Sequence, residues 1–451
     1  MSLTSLSPID GRYAQTTKPL EQYLSEFALM KYRVFVELEW LKFLAKAKLE
    51  GIRTLSQAEE TFLLEWQKNF SLADGERIKE IERATRHDVK AVEYAIRQQF
   101  VGSSLADLGE FVHFACTSED INNLAYALML RDAMQTQIQP MLHVVIGAVS
   151  SLAKTHKNVA MIARTHGQPA SPTTLGKELA VFVYRWQRQY KQLLAQPYLG
   201  KFAGAVGNFN AHTSAYPNAN WRSLARDFVT GLGLTYNPLT TQTESHDYIA
   251  EVFHTLMRCN QIGLGLAQDI WQYISLGYFK QRVITGEIGS STMPHKVNPI
   301  DFENAEANFG LANATLGHLA QKLLVSRLQR DLSDSSALRN IGVGLAHTLI
   351  ALTSLKNGMA KLEVNASAIA ADLEHEWMLL AEPIQTVMRK YNVPNGYERL
   401  KDLTRGEAVS ASTMRGFIAS LEIPMSDKQR LLEMTPSSYV GLAAELVDEI
   451  G

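Results

Sequence analysis

Apolar residues recur at alternating intervals of three and four along one segment of the chain, and this periodicity constrains the fold most strongly. The residues that carry it are Phe302, Ala305, Phe309, Ala312, Leu316, Leu319 and Leu323. Such spacing places all of them on one face of an α-helix. Similar patterns occupy residues 124–152, 175–193 and 249–274. We therefore predict an all-α fold in which long helices pack against each other in a bundle.

The long helices of the middle third carry apolar residues on more than one face. Helices of a bundle commonly bury such an extra face against another subunit. Alternating strand patterns flanked by hairpin turns are scarce, so a parallel sheet is not expected. The sequence predicts a helical homo-oligomer.

Changes in helix length divide the chain into three predicted helical domains. Residues 1–115 mix short helical patterns with polar turns, and residues 116–364 hold the long helices and the loop described below. Residues 365–451 return to short helices, with breaks at Pro383 and Pro424.

Composition narrows the classes of partner. The chain has 44 basic and 46 acidic residues, so its overall charge indicates neither a nucleic-acid partner nor a membrane surface. Cys116 and Cys259 are the only cysteines, too few for a disulfide framework or a thiolate zinc site. With no export signal or long apolar run in view, we expect a cytoplasmic protein.

Several motifs of cofactor and metal chemistry are missing from the sequence. It holds no Gly-x-x-x-x-Gly-Lys-Ser/Thr phosphate loop, no Gly-x-Gly-x-x-Gly after a strand, no His-Glu-x-x-His and no Cys-x-x-Cys. We therefore predict a reaction that uses neither a cofactor nor a metal ion, carried out by hydroxyl, imidazole and anion-binding groups.

Residues 289–299 hold the highest density of side chains that could take part in catalysis or binding. Ser290 and Ser291 follow a glycine, and Lys296 and Asn298 follow within eight residues. Backbone donors and a cation in such a loop suit an anion, while a hydroxyl reaches the reacting atom. An ordinary Ser/Pro/Asn surface turn is the alternative.

Two further loops place a histidine among polar residues. His166 precedes a glycine and could be a general acid, since histidine titrates near neutral pH; it could equally be a surface histidine. Arg86, His87 and Asp88 put a cation, an imidazole and a carboxylate side by side. Asp88 either orients the ring or belongs to an exposed ion pair.

Hydroxyl residues begin two predicted helices. Thr117 and Ser118 suit either a simple N-cap or an anion at the helix N-terminus. Arg330 and Arg339 flank a serine cluster that includes Ser335, a reasonable clamp for phosphate or carboxylate. In the alternative interpretation, the neighbouring residues Asp331 and Asp334 simply neutralise the two arginines.

Residues 289–298 resemble the signature loop of the fumarase, aspartase and argininosuccinate lyase superfamily, Gly-Ser-Ser-x-Met-Pro-x-Lys-x-Asn, and match it at every fixed position. The resemblance spans essentially the whole chain. It implies an all-helical homotetramer in which central helices of four subunits form one bundle and three subunits share each active site. Members release fumarate from a succinyl-substituted amine or a related compound.

The resemblance also implies roles for individual residues. Ser290 would be the base and His166 the general acid, while Lys296 and Asn298 would hold substrate carboxylates. The residues expected around a nucleotide phosphate are Arg12, Tyr13, Arg330, Ser335 and Arg339. Those expected to line the rest of the pocket are Arg86, His87, Asp88, Thr117, Ser118, Gln242, Ser291 and Asn304. His113 and His246 would be supporting groups or satisfied structural histidines.

The expected partners are thus a small-molecule nucleotide substrate, fumarate and further copies of the chain. Two alternatives stay open at this point. One is a lyase of the same superfamily whose substrate lacks a phosphate. The other is a catalytically silent helical scaffold on the same fold.

Overall fold

The computed structural model describes residues 3–282, 293, 296–404 and 409–451. Helices dominate this part of the chain, which confirms the all-α prediction. The α-helices are α1 Ala14–Leu24, α2 Glu26–Lys46, α3 Gln57–Asn69, α4 Leu72–Thr85, α5 Asp88–Phe100, α6 Ser118–Ala133, α7 Gln139–Thr155, α8 Leu175–Ala195, α9 Asn210–Ala215, α10 Trp221–Gly231, α11 Asp247–Ser275, α12 Ile300–Lys322, α13 Ser333–Leu338, α14 Ile341–Lys361, α15 Ala366–Glu374, α16 Ala381–Lys390, α17 Gly396–Thr404, α18 Ala411–Ala419, α19 Met425–Glu433 and α20 Ala443–Leu446.

Short strands form three two-stranded sheets within the described residues. The strands are β1 Ala160–Thr165, β2 Gln168–Thr174, β3 Leu199–Gly200, β4 Thr235–Tyr236, β5 Phe279–Gln281 and β6 Leu362–Val364. Strands β1 and β2 pair antiparallel, as do β5 and β6, whereas β3 and β4 are parallel. A π-helical turn, Met134–Ile138, joins α6 to α7.

The Cα positions divide the chain into two compact units. The first comprises residues 1–142, 189–261 and 307–351. In it, α2 packs against α1, α3, α4, α5 and α6. Trp40 of α2 is fully buried, and its ring centroid lies 4.2 Å from that of Phe202 and 4.9 Å from that of Phe228. Aromatic burial of this size is a main stabilising contribution to such a core.

Hydroxyl side chains begin several helices of the first unit. Ser25 Oγ accepts a hydrogen bond from the backbone N–H of Ala28 at 3.1 Å at the start of α2. Ser56 and Ser71 form capping boxes at the starts of α3 and α4. Each such cap contributes about 1 kcal/mol by satisfying backbone donors that the helix leaves unpaired.

The second unit comprises residues 143–188, 262–306 and 352–451. It contains the β1–β2 hairpin and the short helices after β6, whose shortening was predicted. Those helices share a core of Leu380, Ile384, Val387, Met388, Leu400, Val409, Met414, Ile418, Leu421 and Leu431. Helices α7, α8, α11, α12 and α14 contribute residues to both units. The division into three domains stays a prediction.

One apolar segment, residues 333–361, is long enough to cross a membrane. Of its most apolar window, 72% is buried inside the protein. Core helices of globular proteins commonly combine this length with this burial, so the segment is weak evidence for a membrane span.

Candidate active site

The N-terminus of α6 brings hydroxyl groups and backbone donors together in the first unit. Thr117 is the N-cap residue and Ser118 is the first residue of the helix; both are half-buried. The carboxylate of Asp120 accepts a hydrogen bond from the backbone N–H of Thr117 at 2.9 Å. The N-cap interpretation of Thr117 is therefore confirmed. It is compatible with anion binding, because a helix N-terminus carries partial positive charge.

A fully buried ion pair holds this helix end in place. Lys201 Nζ lies 2.8 Å from Asp120 Oδ1, and both side chains are 0% exposed. The same carboxylate accepts hydrogen bonds from the backbone N–H groups of Ala203 at 2.9 Å and Gly204 at 3.1 Å. Removing one partner from such a pair costs about 3–5 kcal/mol, because a buried charge is left uncompensated. Residues 201–204 are thereby fixed to α6.

Arg330 connects three other elements of the first unit. One of its guanidinium nitrogens donates to Gln242 Oε1 at 3.2 Å, and another lies 3.3 Å from Glu119 Oε2. Its Nε lies 3.6 Å from Asp334 Oδ2, a contact that the alternative interpretation predicted for this carboxylate. Gln242 in turn donates to the carbonyl oxygen of Ala205 at 2.8 Å. The Arg330 side chain is only 13% exposed, which limits its freedom to move.

Glu119 is the least satisfied member of this cluster. Burial raises the pKa of its carboxyl to about 8, against the opposing effect of Arg330. Its Oε1 has no hydrogen-bond partner among the described residues. The ion-pair distance of 3.3 Å to Arg330 is longer than the 2.7–2.9 Å typical of a charge-assisted hydrogen bond. With its pKa at about 8, Glu119 is mostly protonated at neutral pH and does not cancel the charge of Arg330, so Asp334 is the carboxylate of this cluster that still opposes it.

Asp88 links two arginines of the first unit. Its Oδ2 accepts from Arg33 at 2.8 Å and from Arg339 at 3.1 Å. Arg33 also donates to Asn122 Oδ1 at 2.8 Å, and Arg339 to Glu26 Oε2 at 2.6 Å. Burial of Asp88 would raise its pKa, but the two guanidinium groups outweigh this and lower it. Ionised Asp88 therefore holds Arg339 in position.

His87 has a different neighbour from the one expected. Its Nδ1 accepts a hydrogen bond from the backbone N–H of Lys90 at 3.2 Å, while Asp88 Oδ1 lies 3.9 Å away. Arg86 ends α4 in the left-handed conformation with φ 54°, and its N–H donates to the carbonyl oxygen of Glu82 at 2.7 Å. The side chains of Arg86 and His87 are both exposed. Asp88 does not form a hydrogen bond with the imidazole within the described residues.

The remaining predicted residues of the first unit lie at the starts of helices. Arg12 is exposed in the turn before α1, and Tyr13 is the half-buried N-cap residue of that helix. Ser335 is half-buried in α13. In the alternative interpretation Asp331 would neutralise Arg330 or Arg339, but its carboxylate lies 3.9 Å from Arg327 instead.

In the second unit, His166 and Gly167 form the two-residue turn of the β1–β2 hairpin. Their φ angles are 54° and 75°, and positive φ at both positions is typical of a type I′ turn. His166 is exposed and has no hydrogen-bond partner within the described residues. The sequence predicted a polar turn here but not the flanking strands. Thr174 Oγ1 accepts from the N–H of Lys177 at 3.2 Å and so caps the start of α8.

Lys296 and Asn298 precede α12. The backbone N–H of Lys296 donates to the carbonyl oxygen of Met293 at 3.0 Å. The side chain of Lys296 is exposed and Asn298 is half-buried. Asn304, inside α12, donates to Ser354 Oγ at 2.7 Å, a contact with a helix neighbour in the same unit.

Ser290 and Ser291 lie outside the described residues, so the role of Ser290 as base stays a prediction. The end of their loop is described. Pro299 directly precedes α12, and its carbonyl oxygen accepts from the N–H of Phe302 at 3.0 Å. The helix predicted from the periodicity of Phe302 to Leu323 thus begins at Ile300.

Two other histidines have partners that suit a structural role. His113 Nδ1 lies 2.6 Å from Oε1 of the fully buried Glu37; burial opposes protonation, but Glu37 raises the pKa of the ring. His246 is buried, which lowers its pKa, and its backbone N–H donates to Glu244 Oε2 at 2.7 Å. Among the described residues, no group of three His, Cys, Asp or Glu side chains could hold a metal ion.

Three buried charged residues of the first unit were not among the residues predicted from the sequence: Arg33, Glu119 and Lys201. Each is at most 2% exposed. A signal was present for two of them, because Arg33 and Glu119 interrupt otherwise buried faces of α2 and α6. A charged residue on a buried helix face requires a partner.

Each unit offers its own chemistry. The first holds arginine side chains, hydroxyl groups and a helix N-terminus, which together suit a phosphate or carboxylate. The second carries an exposed imidazole able to transfer a proton, with a lysine and two amides on and before α12.

Known proteins resemble the chain over its full length. Residues 11–312 match the family model described as lyase, and residues 326–440 match that of the adenylosuccinate lyase C-terminal region. Adenylosuccinate lyase of Vibrio cholerae serotype O1 is 53% identical over 100% of this chain and 99% of its own. That of Escherichia coli K12 is 51% identical with the same coverage.

Solved structures show the same fold at lower identity. Fumarate lyase from Mesorhizobium sp. BNC1 superposes with a TM-score of 0.76 at 18% identity, covering 96% of this chain and 97% of its own. 3-Carboxy-cis,cis-muconate lactonizing enzyme from Pseudomonas putida gives 0.74 at 19% identity, covering 96% of each chain.

Proposed function

Because the chain belongs to the adenylosuccinate lyase family, we propose that His166 and Ser290 carry out the elimination that this family catalyses. The enzyme is a carbon–nitrogen lyase: it removes fumarate from adenylosuccinate and leaves AMP. The residue roles below rest on the matched loop and on the surroundings of each side chain.

The reaction breaks one C–H and one C–N bond. The departing proton lies on a carbon next to a carboxylate and one bond from the carbon that bears the nitrogen, so its removal places negative charge in that carboxylate. Lys296 and Asn298 would stabilise this charge. Ser290 would take the proton, for which its hydroxyl needs nearby positive charge and backbone donors, since serine ionises far above neutral pH. The nitrogen leaves with the bonding pair and takes a proton from His166.

The observation that supports a nucleotide substrate is the surroundings of Arg330, which could receive a phosphate. Arg330 is held by Gln242 at 3.2 Å and lies beside Glu119, the second residue of α6. The guanidinium is always cationic, and a protonated Glu119 would leave it with one opposing negative charge fewer when an anion arrives. Ser335, Arg339, Arg12 and Tyr13 would complete the phosphate site.

The same site would accept a second substrate, the succinyl-aminoimidazole carboxamide ribotide of purine synthesis, because it shares the succinyl group and the ribose phosphate. We further propose a cytoplasmic homotetramer with active sites shared between subunits, and a reaction without cofactor or metal. The extra apolar faces of the long helices support the oligomer.

The direct test is an assay of the purified protein with both substrates. We expect fumarate release from each. Absence of release, in a parallel assay where the relative from Escherichia coli K12 is active, would contradict the proposal.

Arg339→Ala tests the phosphate site. Loss of a charged hydrogen bond costs about 1.5–3 kcal/mol, so KM for adenylosuccinate should rise roughly ten- to hundredfold with a smaller change in kcat. Arg327→Ala is the matched control, because that arginine is 84% exposed and belongs to the same segment. An unchanged KM in Arg339→Ala would remove this residue from the phosphate site.

A further inference from the structure

We propose that Asp372 is a positioning residue that determines where His166 lies, acting through Arg164 and Tyr278. The proposal concerns the second unit only. It rests on the role of His166 as general acid proposed above.

The backbone pairing of the β1–β2 hairpin is weak. In its register Ile162 faces Pro172 and Arg164 faces Pro169. Proline has no N–H, so Pro172 cannot donate to the ladder. Pro169 belongs to a pair that exchanges no backbone hydrogen bonds, next to the Thr165–Gln168 pair that closes the turn, so it removes no ladder bond. The register also shifts between Ile162 and the next residue, which leaves Ser171 as an extra residue in a β-bulge. Backbone hydrogen bonds alone therefore hold the end of this hairpin poorly.

The turn itself receives little support from packing. Residues 164–169 are all exposed, whereas Met161 and Ile162 are buried. His166 has no hydrogen-bond partner among the described residues. The location of its imidazole therefore depends on side-chain contacts that the strands make below the turn.

Asp372 provides the side-chain contact nearest to the turn. Its Oδ2 lies 2.6 Å from a guanidinium nitrogen of Arg164, two residues before His166. The hydroxyl of Tyr278 donates to the same oxygen. Burial, and then this hydrogen bond, raise the pKa of Tyr278 to about 12, so the hydroxyl remains a donor at neutral pH.

Both ends of this contact are fixed to the unit. Tyr278 is 2% exposed and directly precedes β5, while Asp372 belongs to α15, which packs on β1. The backbone carbonyl of Tyr278 also accepts a hydrogen bond from the N–H of Asn365 at 2.8 Å. Arg164 thus connects an exposed strand end to a buried tyrosine and a helix.

A second carboxylate holds the hairpin farther from the turn. Glu382 accepts hydrogen bonds from the hydroxyl of Ser171, the bulged residue, and from Tyr439 at 3.0 Å. This contact fixes the bulge but not the turn beyond it. Asp372 is therefore the carboxylate whose loss should move His166 most.

The experiment compares Asp372→Ala and Asp372→Asn with Asp427→Ala. Asp427 is the matched control, because its carboxylate also takes a tyrosine hydroxyl and a cation, Tyr391 and Lys390, in the same unit but away from the hairpin. Misplacing an acid by about 1 Å costs on the order of a hundredfold, so we expect kcat of Asp372→Ala to fall about ten- to hundredfold with little change in KM. Asp372→Asn keeps an accepting oxygen and should fall less.

Hydrogen exchange supplies a readout that does not depend on activity. Amides of residues 163–170 should exchange several-fold faster in Asp372→Ala than in the wild type, and at the wild-type rate in Asp427→Ala. Equal exchange in all three proteins would overturn the proposal.

His166→Ala separates this proposal from the function on which it rests. If His166→Ala is inactive and Asp372→Ala keeps the wild-type kcat, the positioning role is wrong. If His166→Ala itself keeps the wild-type kcat, the acid role fails, and the exchange rates still decide whether Asp372 holds the hairpin.

Discussion

The side chains at the start of α6 and those at the turn of the β1–β2 hairpin are held in place in different ways. At α6, Asp120 and Lys201 are 0% exposed and charged groups position one another inside the protein. At the hairpin, His166 is exposed and its nearest fixed contact is two residues away, at Arg164. The proposed anion-binding groups are thus held by burial, and the proposed acid is held by a few side-chain contacts.

The difference follows from what each group has to do. Donors that bind an anion are most effective when they are fixed and shielded from water before the ligand arrives. A general acid must recover its proton from solvent after each turnover, so complete burial would hinder it. The contrast predicts that substitutions at the hairpin turn affect rate, whereas substitutions at α6 affect stability.

The largest effect should come from His166→Ala. General acid catalysis contributes about 10²–10⁴-fold, and kcat for adenylosuccinate should fall by that order. Because the side chain is exposed, the melting temperature should stay close to that of the wild type. Steady-state kinetics and a thermal scan measure both. We expect the same loss of rate for Ser290→Ala.

His375→Ala is the control, since His375 is also exposed and belongs to the same unit. It should keep wild-type kcat. A strongly lowered melting temperature with unchanged kcat in His166→Ala would contradict the contrast between the two regions. The hairpin turn would then have a structural role and not a catalytic one.

Lys201→Met should have the next largest effect, on stability. It leaves the buried carboxylate of Asp120 without its cation, which costs about 3–5 kcal/mol. Urea denaturation measures the change. The double variant Asp120→Asn with Lys201→Met removes both charges and should be less destabilised than Lys201→Met alone. If the loss of stability in the double variant equals the sum of the losses in Lys201→Met and in Asp120→Asn, the two side chains do not act as a pair.

Local spacing was enough to predict much of the first region and little of the second. The helix cap at Thr117 lies within four residues of the groups it satisfies, so sequence reveals it. Pairing between Asp120 and Lys201 depends on a distant part of the chain, and no local pattern connects them. Family resemblance supplied the residues of the site, but not these contacts.

The hairpin was missed for a physical reason. Pro169 and Pro172 argue against a strand, because proline cannot donate to a ladder. The structure tolerates both in a two-stranded pair that is held by side chains such as Arg164 and Ser171. Sequence periodicity detects alternating apolar faces, and in β1 the buried apolar residues Met161 and Ile162 are adjacent rather than alternating.

The smallest effect concerns the charge of the buried site, and Glu119→Gln tests it. Folding raises the pKa of Glu119 from about 4.3 in an unfolded chain to about 8. Between these values the folded state binds the extra proton, so this group makes the protein less stable as pH rises, by up to about 1.4 kcal/mol per pH unit. Glutamine cannot lose a proton and lacks this slope. The free energy of unfolding of Glu119→Gln, relative to the wild type, should therefore increase from about pH 6 to about pH 8 in urea titrations.

Glu110→Gln is the control, because the Glu110 side chain is 81% exposed. The free energy of unfolding of this variant should change with pH in the same way as that of the wild type. If the free energy of unfolding of Glu119→Gln also follows that of the wild type across this pH range, Glu119 is already ionised in the folded protein and opposes the charge of Arg330. Arg330 would then face two carboxylates, Glu119 and Asp334, and would have no uncompensated charge for the phosphate of the nucleotide proposal. A rising difference would instead show that burial keeps Glu119 neutral, so that this carboxyl does not compete with the phosphate for Arg330. An exposed carboxyl beside a surface turn would be ionised and would compete.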